Sequence, residues 1–362
     1  MLARTVYAAT HDCTARLYHR CYLLQPSPAM SQPLRRRLLR AGLVLPALTL
    51  GACATRRPEL IVGGLFAGRI DDGGFMEAGY RGLVRARDEL GVTVRHIDQL
   101  PPQRERLLAA LRELAQGGAH LVVAHGGQNN EAARTAAAEF PRTLFVVTQG
   151  NVSGPNLASY EVLQEESSWL AGAAAGLITR SGVIGHMSGI RVVPGLKARA
   201  AFADGLTTSN PAARLLTNFS GTQDDTVVAK RIALAQIDAR ADLIYTMLNA
   251  GRSGAIDACR ERGVKQIGNV RDWVAVMPDV FIGSAIADSG IALFNAVRDV
   301  AAGRFKPGVI ERIGLANPEA VRLTLGADVA PSIRARIDAY AADIIAGRIR
   351  IPESYDGAEF QA

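Results

Sequence analysis

The chain has 362 residues, 41 of them lysine or arginine against 34 aspartate or glutamate, for a formal net charge of +7. Seven of those basic residues and one acidic residue precede Cys53, so the part beyond it holds 34 basic against 33 acidic side chains. A body so near neutrality has no electrostatic footprint for a polyanion, which excludes nucleic acid as a partner and assigns the basic excess to a leader.

Residues 1–29 fit poorly as the start of an export signal, whereas Met30 places one at a normal distance from Cys53. Residues 30–52 then read as a lipoprotein signal peptide. It has a basic run at Arg35, Arg36, Arg37 and Arg40, an apolar stretch from Ala41 to Leu50, and small residues in Leu50-Gly51-Ala52-Cys53. The apolar stretch is too short to span a bilayer. Cys53 is the expected lipidation site and first mature residue, with residues 53–58 as a tether and the cell envelope, on its periplasmic face, as the location. Arg35 to Arg40 also resembles a twin-arginine signal. With Cys13 and Cys21 ahead of the signal and Cys53 lipidated, only Cys259 remains. The mature chain has no intramolecular disulfide, and about 300 residues bury enough apolar surface to be stable without one.

From Glu59 onward, short β-rich apolar runs alternate with amphipathic stretches, the pattern of an α/β fold with parallel sheets. Strands are expected at Leu60 to Phe66, Val92 to Ile97, His120 to Val123, Thr143 to Val147, Val183 to Met187, Arg214 to Asn218, Leu243 to Tyr245, Lys265 to Ile267 and Val280 to Ser284. Helices are expected at Met76 to Leu90, Pro102 to Gln116, Asn130 to Glu139, Ser167 to Thr179, Thr226 to Asp238 and Pro331 to Ala346. Two doubly wound parallel-sheet lobes fit these elements, with a ligand cleft between them. Residues 59–162 plus about 286–320 are expected in lobe 1, and 163–285 plus about 321–362 in lobe 2.

Catalytic chemistry is poorly supplied. Val62-Gly63-Gly64-Leu65-Phe66-Ala67-Gly68 lacks dinucleotide-loop spacing, and no Walker-type GK[ST] follows a strand. Ser188 in Gly185-His186-Met187-Ser188-Gly189 sits one place too late for a nucleophile elbow, and His96, His120, His125 and His186 share no metal-ligand spacing. No enzyme activity, catalytic residue, metal or cofactor is expected.

In doubly wound sheets the ligand lies outside the carboxyl ends of the strands, so the loops there are where a site must form. After the first strand come Asp71, Asp72 and Phe75, which suit hydrogen bonding and ring stacking or, in a structural role, a cap and hydrophobic staple. After the third come His125 and Gly126, with Gln128 and Asn130; after the fourth, Thr148 and Gln149. The second half offers Asn249 and Gly251 ahead of Arg252, then Asp272 beside Trp273, a ring expected to stack on a ligand or to cover its own loop.

At these residues the chain resembles the basic membrane protein family, substrate-binding lipoproteins of ABC importers for nucleosides and purines with the type I periplasmic-binding-protein fold. Asp72-Gly73-Gly74-Phe75 is similar to the family's Asp-x-x-Phe motif, and Glu166 falls in a helix start, Gln164 to Gly172, like its Glu-x-x-aromatic-Leu-Ala-Gly. Val183 to Gly189, Phe202-Ala203-Asp204-Gly205, Ala241 to Tyr245 and Ile267-Gly268 followed by Asp272 continue the series in order. The resemblance implies a small-molecule ligand, an ABC permease as partner and a lipid anchor, while covalent lipid on a near-neutral body argues for a surface-tethered monomer. Thr148, Val270 and Ala287 stand where the family has two acids and a lysine that help hold ribose hydroxyls, which shifts the expected ligand toward a bare purine base or similar heterocycle. A sensing receptor of the same fold is the alternative, as is an amino-acid receptor, whose charge-paired grip only Asp72 with Arg252 would supply.

Overall fold

The computed structural model describes residues 59–362; residues 1–29, the expected signal at 30–52, the expected lipidation site Cys53 and the expected tether to residue 58 lie outside the described residues. Numbered in chain order, the strands are β1 Ile61–Phe66, β2 Thr93–Ile97, β3 Leu121–His125, β4 Leu144–Thr148, β5 Leu157–Val162, β6 Val183–Ser188, β7 Arg214–Phe219, β8 Leu243–Met247, β9 Lys265–Val270, β10 Phe281–Ala287, β11 Ile310–Ile313 and β12 Val321–Leu325. The helices are α1 Phe75–Leu90, α2 Arg104–Gln116, α3 Asn130–Glu139, α4 Gln164–Ile178, α5 Val193–Ser209, α6 Thr226–Asp238, α7 Arg252–Arg262, α8 Trp273–Val276, α9 Ser289–Ala301 and α10 Pro331–Ile345.

Two six-stranded sheets result, ordered β2-β1-β3-β4-β5-β11 and β7-β6-β8-β9-β10-β12. Every pairing is parallel except β10 with β12. The expected pair of doubly wound lobes is therefore what the chain forms. Buried strands flanked by helices on both faces read as continuous apolar runs, as in Leu121-Val122-Val123-Ala124 of β3. Because successive side chains point to opposite faces, Leu121 and Val123 join one core with α9 residues such as Leu293, while Val122 and Ala124 join another with Leu107 and Leu111 of α2.

Three elements beyond the expected strands complete the sheets. β5 is half polar in sequence, β11 has only four residues with two charges, and β12 is a five-residue antiparallel edge strand. Helix α5 also lay unpredicted, since Pro194, Gly195 and Gly205 resemble breakers. Pro194 instead occupies the helix start, where its missing N–H costs nothing. Gly205 lets α5 lie against α4: a Cβ there would sit 2.1 Å from the Trp169 carbonyl oxygen, and one on Gly172 of α4 would sit 2.0 Å from the Phe202 oxygen.

The chain passes between sheets three times: β5 to α4, β10 to α9, and β11 to β12. The third passage is tied to both others. Leu163 N–H donates to the Ile313 oxygen (2.9 Å), Asp288 N–H to the Ala320 oxygen (2.8 Å), and Leu315 N–H to Glu166 Oε2 (2.6 Å). These ties gather the three passages beside the carboxyl ends of β5, β10 and β11.

Candidate functional site

Asp72 precedes α1, and its carboxylate accepts from Gly74 N–H (2.8 Å), Met76 N–H (3.2 Å) and Glu77 N–H (3.1 Å). The helix N-terminus thus holds the side chain, the capping role a sequence reader weighs against ligand binding. Burial nevertheless pushes its pKa above the ordinary carboxylate value, against these donors. Asp71 turns away into solvent, paired with Arg69 (2.9 Å), and does not join the other candidates.

Phe75 stacks on His125, with ring centroids 4.2 Å apart and planes at 26°. His125, fully buried at the end of β3, has Nε2 2.9 Å from the Phe75 carbonyl oxygen and Nδ1 2.7 Å from Thr148 Oγ1. The carbonyl only accepts, so Nε2 carries the proton and Nδ1 receives the hydroxyl hydrogen, a neutral imidazole. Burial lowers the His125 pKa to about 4, consistent with that form. Gly79 makes room for the ring, since a Cβ there would lie 2.5 Å from it. Gly126 turns the chain at φ 103°, open to glycine, with its N–H on the Thr148 oxygen (3.0 Å). The Gln149 side chain is spent on the backbone of Val162, accepting from its N–H (2.5 Å) and donating to its oxygen (3.0 Å). Gln149 therefore stitches β4 to β5.

On lobe 2, Arg252 is buried at the start of α7 and donates to the Thr246 oxygen and hydroxyl (both 3.0 Å), to the Leu248 oxygen and to Asn269 Oδ1. No carboxylate faces it in these bonds, and burial lowers its pKa to about 9. It ties the β8 loop to the end of β9. Trp273, expected either to stack on a ligand or to cover its own loop, is 6% exposed. Its ring stacks on Phe281 (5.3 Å), lies under the guanidinium groups of Arg271 (4.2 Å) and Arg252 (4.7 Å), and donates Nε1–H to the Asn269 oxygen (3.0 Å). Its placement is that of a loop cover. The Asp272 carboxylate is likewise engaged within lobe 2, by Ala275 N–H (3.2 Å) and the Thr324 hydroxyl (3.0 Å). Gly251 N–H donates to the Gln223 oxygen (3.1 Å) and shapes the loop. Glu166 sits beside the passages between sheets, bonded to Leu315, with its pKa raised by burial.

The two walls meet directly. Asn249 Nδ2–H donates to Asp72 Oδ2 (2.9 Å), its Oδ1 faces Phe75 N–H (3.4 Å), and Arg271 approaches Glu77 (3.8 Å). Of the candidates from sequence, Asp72, Phe75, His125, Thr148 and Asn249 form one connected constellation, while Asp71, Gln149, Asp272, Trp273 and Glu166 have other partners. Glu77 and Arg271, not among those candidates, join it. One local signal marks the same region: Gln149 and Val270 hold positive φ, 54° and 72°, at strand carboxyl ends. A β-branched residue there is a strained outlier, and such strain gathers at functional sites. Among the described residues there is no group of three or more metal-ligating side chains, and no helix is long and apolar enough to cross a membrane.

A family model described as ABC transporter substrate-binding protein, PnrA-like, matches residues 60–354. The transcriptional activator protein Med of Bacillus subtilis is 21% identical over 250 residues, 69% of this chain and 76% of that one. Basic membrane protein A of Borreliella burgdorferi is 24% identical over 71% of this chain and 76% of its own length. A purine-binding protein of Brucella abortus is 22% identical over 54% of this chain and 56% of its own. Among solved structures, a solute-binding protein from Aeropyrum pernix superposes with a TM-score of 0.71 at 21% identity, covering 82% of this chain and 95% of that one. At that identity the likeness concerns the fold.

Proposed function

We propose, for a chain that belongs to the PnrA-like family of ABC transporter substrate-binding proteins, an extracytoplasmic receptor that binds a purine base, nucleoside or similar heterocycle and delivers it to an ABC importer. It is anchored to the membrane by lipid on Cys53, works as a monomer and is not an enzyme. The observation that carries this reading is the contact of Asp72 and Phe75 of one lobe with Asn249 of the other. Closing the lobes brings an aromatic stack and a carboxylate to one place, which suits a planar polar ligand. Ring stacking with a few satisfied polar contacts supports affinity of about micromolar, or about 8 kcal/mol. The purine-binding relative supports the ligand class.

The amino-acid reading is weakened by the placement of its one cation: both terminal nitrogens of Arg252 are bonded within lobe 2 and are not free for a ligand carboxylate. The sensing alternative keeps one observation in its favour, the relative named as a transcriptional activator. Thermal melting of the mature domain against nucleobases, nucleosides, amino acids and sugars tests the reading, because a ligand that binds only the folded form raises the midpoint. A shift with a purine or nucleoside upholds it; a shift with an amino acid alone rejects it.

A further inference from the structure

Residues 355–362 lie beyond the stretch that the family model matches, yet they are docked on lobe 2. Phe360 N–H donates to the Thr217 oxygen (2.9 Å) on β7, the edge strand of its sheet, and Asn218 Nδ2–H donates to the Phe360 oxygen. The Phe360 ring packs with Val183, Leu216 and Ala241. One residue earlier, the Glu359 carboxylate receives Arg199 (2.6 Å) and Arg191 (2.5 Å) together. Those two guanidinium groups lie against the Phe219 ring, at 4.5 Å for Arg191 and 4.8 Å for Arg199, and Tyr355 covers Arg199 at 4.9 Å.

The arginine pair is a built site. The Arg199 side chain is 8% exposed and its Nε is buried with no partner, so Glu359 leaves part of the demand for an acceptor unmet. An unpaired edge strand is a template for another extended segment. The adjoining β6–α5 loop and the first residue of α5 expose Ile190, Val192 and Val193, apolar surface of the kind that partners cover.

We propose that Arg191, Arg199, Phe219 and the outer edge of β7 form a docking site for an extended acidic-aromatic segment of a protein partner, which Glu359 and Phe360 occupy in cis. The occupant defines the chemistry: a carboxylate for the two guanidinium groups, followed by an aromatic ring, with a backbone that pairs to an edge strand. A partner segment whose acceptor also reaches Arg199 Nε displaces the tail. This site is separate from the interlobe cleft and does not depend on the identity of the solute.

A fluorescent peptide of residues 355–362 tests it by anisotropy. The unaltered chain, with its site filled, should bind weakly, and a chain carrying Glu359→Gln and Phe360→Ala at least tenfold more tightly. The gain should vanish when Arg191→Ala is added, or when the peptide carries Gln in place of its glutamate. Equal binding by the unaltered and altered chains, or equal binding of both peptides, overturns the proposal. Should the double variant lose its melting transition, Glu359→Gln alone serves with the same criteria, since that carboxylate is partly exposed.

Discussion

Gly74→Ala should weaken solute binding without weakening the fold. A Cβ on Gly74 would lie 2.3 Å from Asn249 Oδ1, 2.8 Å from its Cγ and 3.2 Å from its Cα. The Asn249 side chain must therefore leave, and with it go its bond to Asp72 and its approach to Phe75 N–H. A hydrogen bond to a charged group contributes about 1.5–3 kcal/mol. Both contacts cross between lobes, so their loss falls on the closed form and spares each lobe's own packing. At about 1.4 kcal/mol per tenfold, the dissociation constant of the solute found by the melting panel should rise by about 10- to 100-fold. Calorimetric titration of both chains measures this, and the ligand-free midpoints should agree within about 2 °C. An affinity changed by less than about threefold refutes the view that the Asp72 to Asn249 contact belongs to closure.

Gly82→Ala should do the reverse, destabilising lobe 1 directly, since a Cβ there would meet the Gly290 oxygen at 2.2 Å and backbone cannot step aside. Overpacking of this kind costs about 1–3 kcal/mol, read as a lower urea midpoint. Thr148→Val should cost about 1–3 kcal/mol by leaving His125 Nδ1 buried without a donor, measured the same way. Folded His125 and His186 have pKa values lowered by burial to about 4 and about 3, below the unfolded value near 6.5. The unfolded chain then binds more protons, so stability present above about pH 6.5 should decline as pH falls through that window. Glu165, raised by burial to about 6, opposes part of the decline, and urea midpoints from pH 7 to 4.5 give the balance. Cys259, buried with its thiol pushed up to about 12, should resist thiol reagents in the folded domain and react at once in denaturant. Rapid labelling of native protein at Cys259 would contradict that placement.

The fold was legible wherever packing agrees with local pattern. Asn130–Glu139 and Thr226–Asp238 match their expected bounds, because apolar residues recur at helical spacing between clear stops and Asp225 caps the latter. The edge strands β11 and β12 were not legible, since half-exposed strands of four or five residues carry charges that resemble loop. For the site, chemistry placed the loops but not the partners. Trp273 and Arg252 have sequence contexts equally suited to a ligand or to each other, and only the three-dimensional arrangement of Asn269 and Phe281 turns them inward. Glu77 and Arg271 are ordinary surface charges in sequence, nearly two hundred positions apart, and acquire meaning through the meeting of lobes.

The three passages between sheets, with the third bonded to each of the other two, make a stitched ribbon. Mechanically such a ribbon is a leaf spring: it bends about one line at little cost but resists twisting, because torsion would shear the bonds at Ile313 and Ala320. Opening should thus carry Asn249 away from Asp72 along a single arc, so that re-closure restores the same register of contacts on every cycle.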